Sequence, residues 1–559
     1  MRIWLNVFLV FISSVVHSQD VVPSVYPEIQ FENKQGFSIS LEDKNFFNKE
    51  SYSYISWPAI LGSPEGTGNG IQFSFLDEKF SGAIKVGYRS QKNPLFIDWY
   101  EKEFNIFKGK ANINLETIRQ SWLGITRLHF NEDELIIMVL DRDSSILYIG
   151  NLAYQYKGFY KVKPTLIGSL NVRFFNDSLR IDYKTFPEVF TEIQVGTRHF
   201  QEIQADTDHK FQIPIEPNEL IDSVGLKING RWQYYQLKFF DNNSSVWSFS
   251  LANSNFRNDV MPYWTDSLLF NSLNYSVKNK DKFCLIVGSK SDSTSSQLQN
   301  KQLQYYQFQN YISPFTVGLQ CYYTMGENDR LFQTYNFDSL GRLNLDKFPF
   351  ATESSEAVFL DAFNMPYNGP MADDSILNSK KNWPPYKGST YWFKQNNVAI
   401  VVLNPFHFSS ENNTAYFFSG NQLKHIDRQQ LLWLEKTMKT IDIDSAIQHV
   451  FIVSERDVYS DSTFYKTISS SSNNKLKCLV SAENNGFAVN DYTIGSKQLK
   501  HINLGNVFLN SSIEIDSKKI KLKSKKACFL EFEINQQQLT LIQRNISTNK
   551  IEYSLILSE

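Results

Sequence analysis

Through the first half of the chain, apolar positions alternate with polar ones or run together for only a few residues. GIQFSF, GAIKVGY, ELIIMVL, ILYIG, VGLKI, YYQLKFF and VWSFSL are each bounded by turn residues. A period of two, or a short apolar run closed by turns, predicts strands. Short strands at this spacing predict antiparallel sandwiches from residue 20 to about 275. The length suits two of them, residues 19–160 and 161–277, parting somewhere between Lys157 and Arg180. No long helical period is read in this half.

After about Lys280 the pattern becomes α/β. KFCLIVGS, CYYTMG, NVAIVVLN, HVFIVS and KCLVSA read as buried strands, NVAIVVLN being of the parallel-sheet type. Gln297 to Ile312 can form a helix rich in Gln. Asp427 to Lys439 is the clearest helix: Asp427 can cap it, Gln430 stands at N3, and Leu431, Leu434 and Met438 share a face. The tail returns to β in ACFLEFEI, QLTLIQRN and KIEYSLIL. Residues 278–559 thus read as one further domain.

Composition narrows the classes. The 559 residues suit several domains. With 42% hydrophobic and 20% charged residues the chain can bury real cores. A 15% aromatic share, including 45 Phe and 28 Tyr, leans toward β structure. A net charge of −2 and no dense basic stripe give nucleic-acid binding little support.

Met1 to Ser18 reads as a secretory signal. Arg2 supplies the positive end, Ile3 to Val16 the apolar stretch, and Val16 and Ser18 the small positions before a cut at Gln19. The stretch is short for a membrane span, and no Cys follows it to carry a lipid. The expectation is an exported protein, not an integral membrane protein. It would be periplasmic, associated with an outer membrane, or extracellular. Cys284, Cys321, Cys478 and Cys528 each sit in an apolar, strand-like run. Export permits disulfides, but single buried thiols are the expectation.

Three features invite over-reading. Gly66, Gly68 and Gly70 are followed by a strand rather than the helix that a phosphate cradle needs, so they read as a hairpin loop. Asp141, Arg142 and Asp143 lie between strands and read as a tight turn rather than a calcium loop. Trp99-Tyr100 and Trp232 to Tyr235 could stack sugars, although aromatics on sheets usually serve core or interface.

The order of pieces after residue 278 resembles the calcineurin-like metallophosphoesterases, most closely their secreted branch similar to purple acid phosphatases. FNMPYNGP (363–370), STYWFKQNNVAIVVLN (389–404) and the helix carrying Gly420, Asn421, Gln422, Asp427, Gln430, Trp433 and Leu434 carry the resemblance. It implies two metal ions at the C-terminal ends of the sheet strands, held by carboxylates, an Asn and several His. The family's motifs are D-x-H, G-D-x-x-D, G-N-H-D/E, a lone His and G-H-x-H. Here the first reads Ser289, Lys290, Ser291, with Ser289 for the Asp and Ser291 for the His. The second has no counterpart between Ser291 and Gly326. The third reads Gly326, Glu327, Asn328, Asp329. The fourth offers Glu455 within Ser454 to Asp457, and the fifth reads Ala482, Glu483, Asn484, Asn485. None of His129, His199, His209, His407, His425, His449 and His501 falls on a ligand position.

The resemblance therefore implies a degenerate phosphoesterase with no catalytic residues and no metal cofactor. Its role would be that of a binding or scaffold subunit, with protein partners in a cell-envelope or extracellular assembly. Two alternatives stand. Glu327, Asp329, Glu455 and Glu483, with Asn485, could hold a single Ca²⁺ or Mg²⁺, or an atypical active centre; against this, Lys290 and Arg456 could fill the pocket with salt bridges. Or the β region could bind carbohydrate or another surface.

Overall fold

The computed structural model describes residues 65–74, 81–89, 97–122, 132–142, 146–237, 246–254, 267–291, 301–329, 354–370, 386–410, 421–422, 426–504 and 528–558, with short breaks inside several of these ranges. Residues 1–18, which read as a leader in the sequence, and Gly68, His129, Asp143, Gly420, His425, Glu483, Asn484 and Asn485 lie outside the described residues. What is described is mostly strands in several sheets, with few helices, in a chain of two compact units that divide between residues 163 and 164.

In the first unit, Glu65–Gly66, Gly70–Ser74 and Lys110–Asn114 form a three-stranded sheet. Gly82–Arg89, Ile97–Trp99, Phe104–Ile106, Glu132–Asp141, Ile146–Tyr156 and Tyr160–Val162 form a six-stranded antiparallel one. Alternation puts Ile71, Phe73, Ile84, Val86, Ile137, Val139 and Leu152 in the core. Gly66 and Gly70 do flank a hairpin turn, in which the Thr67 N–H donates to the Gly70 carbonyl at 2.7 Å. A Cβ on Gly70 would stand 1.9 Å from the Ile113 carbonyl oxygen, so only glycine fits there. Asp141 ends a strand whose partner begins at Ile146, a tight connection. Leu115–Trp122 is a short helix in this otherwise β region.

The second unit begins with a sandwich. Thr165–Phe175, Ser178–Val189 and Asp206–Pro214 make one sheet. Arg198–Gln201, Glu192–Val195, Ser223–Ile228 and Arg231–Gln236, in that spatial order, make the other. Leu170, Val172, Ile181, Ile193, Val195, Val224 and Leu226 fill the space between them.

Two six-stranded sheets follow. The first runs Gln320–Tyr323, Phe283–Val287, Val246–Asn253, Cys528–Asn535, Gln538–Asn545, Ile551–Ser558. The second runs Tyr391–Gln395, Val398–Val402, His449–Val453, Leu476–Ser481, Lys497–Asn503, Ala488–Ile494. Val246–Asn253 falls on the N-terminal side of the expected boundary at 278, yet it lies at the centre of the first sheet. It is parallel to Phe283–Val287 and antiparallel to Cys528–Asn535. Its burial explains the position: residues 247–252 are all buried, the mark of a strand covered on both faces.

Aromatic rings join the two sheets. Phe249 stacks between Phe283 and Phe532 at 4.6 and 4.9 Å, Phe451 meets Phe249 edge-on at 5.3 Å, and Tyr322 stacks on Phe393 at 3.8 Å. The helix Arg428–Ile443 covers the other face of the second sheet with Leu431, Leu434, Met438 and Ile441 against Ala399, Val401, Val450 and Ile452. Each such buried side chain contributes about 1.5–3 kcal/mol. Asp427 caps this helix, accepting from the N–H groups of Gln429 and Gln430 at 2.9 and 3.0 Å. Gln430 does not close a capping box. Its amide oxygen accepts from Thr390 and from the Asn404 N–H, tying the helix to the sheet.

The helix Ser267–Asn279 corrects the all-β reading of residues 20–275. Leu269 and Leu273 are buried on its inner side, its other apolar residues are interspersed with Ser and Asn, and its Ser276 hydroxyl lies 2.6 Å from that of Ser250 on the first sheet. Cys284, Cys321 and Cys478 are buried free thiols. Burial pushes all three up, Cys321 to about 12. No described helix is long and apolar enough to cross a membrane.

Candidate functional site

The strands Phe283–Val287, Gln320–Tyr323 and His449–Val453 release their loops toward one another, and those loops carry the residues singled out in the sequence. Ser289, Lys290 and Ser291 follow the first, Glu327, Asn328 and Asp329 form a short 3₁₀ turn after the second, and Glu455 and Arg456 follow the third. The structure brings these eight together.

Asp329 is fully buried. One of its oxygens accepts from the Lys290 N–H at 2.9 Å and the Ser291 hydroxyl at 2.8 Å. The other accepts from the Gly326 N–H at 2.8 Å. Burial raises its carboxyl, while Lys290, the Gly326 N–H and Lys301 pull the other way. Glu455 is 4% exposed and uses both oxygens, one toward the Ser289 hydroxyl at 3.4 Å and one toward the Glu327 N–H at 2.7 Å. The Glu327 carboxylate is ion-paired to the Arg456 guanidinium. The Asn328 N–H donates to the Ser289 hydroxyl at 3.0 Å, and its carbonyl accepts from Ser291 at 3.0 Å.

Lys290 is only 1% exposed. Its ammonium turns back over the strand ends, where it donates to the carbonyls of Ile286 (3.1 Å), Gly288 and Thr324. A second ammonium, that of Lys301, reaches the Ser291 hydroxyl at 3.1 Å and the Asn328 carbonyl. Sequence reasoning missed Lys301. The signal was there: Lys301, Tyr305, Phe308 and Ile312 recur at helical spacing and are all buried, so the lysine lies on the inward stripe. The Tyr305 hydroxyl adds a bond to the Asp329 carbonyl at 3.3 Å. The loops also touch closely, since a Cβ on Gly326 would stand 2.4 Å from the Ser289 nitrogen.

No family model matches the chain, and no curated protein matches it. Among solved structures it is similar to GAP50, "the anchor in the inner membrane complex of Plasmodium", at 10% identity and TM-score 0.33, over 56% of this chain and 89% of that one. It is also similar to a dimetal phosphatase from Danio rerio at 12% identity and TM-score 0.35, over 56% and 98%. A β-glucuronidase from Parabacteroides merdae covers 86% of this chain and 75% of that one at 7% identity and TM-score 0.18. These are partial likenesses of chain path.

The donors do not fit a pair of divalent metal ions. Such ions want open oxygen and imidazole donors. Here the carboxylates of Asp329, Glu455 and Glu327 already bind backbone N–H groups, hydroxyls and Arg456, and two ammonium groups stand among them. Among the described residues no three His, Cys, Asp or Glu side chains form a group that could hold a metal. The described histidines lie elsewhere. His407 is buried against Tyr386, with ring centroids 3.6 Å apart. His449 starts its strand, His501 bonds the Ser481 hydroxyl at 2.9 Å, and His209 lies between Thr185 and Glu202 in the sandwich. The carboxylates of Glu327, Asp329 and Glu455 thus share these loops with the cationic groups of Lys290, Lys301 and Arg456.

Proposed function

We propose that residues 246–559 form a metallophosphoesterase-like domain whose metal centre has been replaced by an internally neutralised polar core. The protein would then act by binding, as a non-catalytic subunit of an assembly in the cell envelope or outside the cell. The observation that carries the first part is Lys290. In the family it resembles, that loop delivers ligands to a metal; here it delivers an ammonium, which binds the strand-end carbonyls at the same loop junction. A tethered monovalent cation balances nearby carboxylates, but it offers no open coordination position and activates no water. The leader-like N-terminus supports export.

The test uses the purified full chain, dialysed against Mn²⁺, Zn²⁺, Fe²⁺ or Mg²⁺, with metal content and hydrolysis of p-nitrophenyl phosphate and bis-p-nitrophenyl phosphate measured together. The expected result is no stoichiometric metal and no turnover above that of Glu455→Ala. Two ions per chain, with turnover that collapses in Glu455→Ala, would overturn the proposal in favour of carboxylate-rich catalysis.

A further inference from the structure

The outward face of the four-stranded sheet between Glu192 and Gln236 carries a second feature, away from the loops described above. Its inward residues, Ile193, Val195, Val224, Leu226 and Tyr235, belong to the sandwich core. The strand register sets two rows across the outer face. His199, Gln194, Gly225 and Tyr234 stand in one; Gln201, Glu192, Lys227 and Trp232 stand in the other.

Trp232 and Tyr234 are alternate residues of one strand, so they share this face. Their ring planes differ by 23° and their centroids are 6.0 Å apart. The two rings are thus near-parallel neighbours on one face of the sheet. The His199 ring meets the Trp232 edge at 5.4 Å although the two residues belong to opposite edge strands. The rings therefore bridge a width of about 14 Å.

Gly225 is the floor. A Cβ there would stand 2.8 Å from the Tyr234 ring and 3.2 Å from the Trp232 ring. A single aromatic commonly covers a strand glycine for structural reasons. Two near-parallel rings, that of Tyr234 55% exposed, exceed that need.

The charges on the face cancel. Glu192 accepts from Lys227 at 2.8 Å and lies 3.1 Å from His199, so one carboxylate serves both neighbouring bases. The Lys227 ammonium also lies 5.4 Å over the Trp232 ring. Gln194 is held toward Tyr234, whose hydroxyl donates to it at 2.9 Å.

We propose that this face binds neutral carbohydrate. Flat aromatic rings match the apolar faces of pyranose rings, and the fixed amide, carboxylate and hydroxyl at the rim match sugar hydroxyls. An aromatic strip lying across four strands suits an oligosaccharide rather than a monosaccharide. Internal pairing of the charges argues against a polyanion, whose binding requires uncompensated cations. The site is separate from the loops around Lys290, so it stands or falls independently of the loss of catalysis.

The test is a neutral and sulfated glycan array followed by titration calorimetry of the full chain with cello-, chito-, xylo- and manno-oligosaccharides. Trp232→Ala and Tyr234→Ala are compared with wild type, and circular dichroism checks that each folds. The expected result is binding to at least one neutral series that is insensitive to salt and weakened about tenfold or more by each variant, a loss of about 1.4 kcal/mol. Lys436→Ala, on the exposed side of a distant helix, leaves it unchanged. Silence on the array, neutral binding that survives both variants, or binding only to sulfated glycans with a steep salt dependence would overturn the proposal. So would a co-purifying protein partner lost in the two variants without any glycan binding.

Discussion

Lys290 brings a positive charge to a buried place, and its titration reports on that place. Burial pushes its ammonium down to about 8, against the pull of Asp329 and Glu455. An unfolded lysine keeps its proton to about 10.4. Below about pH 8 both states hold the proton, and the cost of burying the charge is fully present. Between about 8 and 10.4 the unfolded chain binds the proton more tightly, so this group's contribution to stability rises with pH, by about 3 kcal/mol in all. Lys290→Met removes that dependence. It also strips three carbonyls of their donor and leaves the carboxylates with less compensation, an expected cost of about 3 kcal/mol at pH 7. In urea titrations the gap between wild type and Lys290→Met should therefore widen from pH 7 to pH 10. A narrowing gap would mean that the lysine is not desolvated as described. Asp329 has the opposite sign: its carboxyl is raised by burial, so its contribution declines as pH climbs past the ordinary carboxylate range.

At the scale of elements, the helix Arg428–Ile443 shows how far sequence carries. Asp427 was legible as its cap because a short acidic side chain precedes an i, i+3, i+7 apolar stripe, and the structure puts it there. The cap also receives the Tyr386 hydroxyl at 2.9 Å, a partner 41 positions away that no local pattern announces. Asp427→Ala should cost about 1–2 kcal/mol, while Asp427→Asn, which keeps a cap acceptor, should cost less; thermal unfolding of the two variants checks the order. Most strands were legible for a similar reason, since burial writes alternation or an apolar run into each one. Their partners were not. Val246–Asn253 pairs with Cys528–Asn535 across nearly the whole domain, and nothing in either run names the other. The site divides in the same way. Ser289, Lys290, Ser291, Glu327, Asn328, Asp329 and Glu455 were found by their places after strands. Lys301 was missed because its role depends on which helix face turns inward.

At the scale of the whole molecule, the 165–214 sheet and the α/β sheets belong to one compact unit, and a few buried polar groups tie them together. Arg173 is 2% exposed. Its guanidinium is ion-paired to Asp182 and lies 3.4 Å from the Cys321 carbonyl on the neighbouring sheet. Asp182 also accepts from Asn171 at 3.0 Å and from Asn364 at 3.3 Å, the latter at the end of the helix Ser355–Phe363. Around this pair the Phe174 N–H donates to Gln320 at 2.7 Å, and the Tyr322 and Thr316 hydroxyls donate to the carbonyls of Phe174 and Leu170 at 2.7 and 3.0 Å. A buried ion pair adds little over a well-packed apolar pair, but removing one partner strands the other charge and costs about 3–5 kcal/mol. Arg173→Ala should therefore cost that much, all of it at the seam. Arg180, half-buried between the rings of Phe175 and Tyr367, should cost only about 1 kcal/mol when changed to Ala. If the seam makes the two parts cooperative, wild-type residues 164–559 unfold in a single transition seen alike by far-UV dichroism and by tryptophan emission, whereas Arg173→Ala separates the two probes as the sandwich melts first. Coincident curves in Arg173→Ala, or separated curves already in wild type, would show that the pair does not couple them.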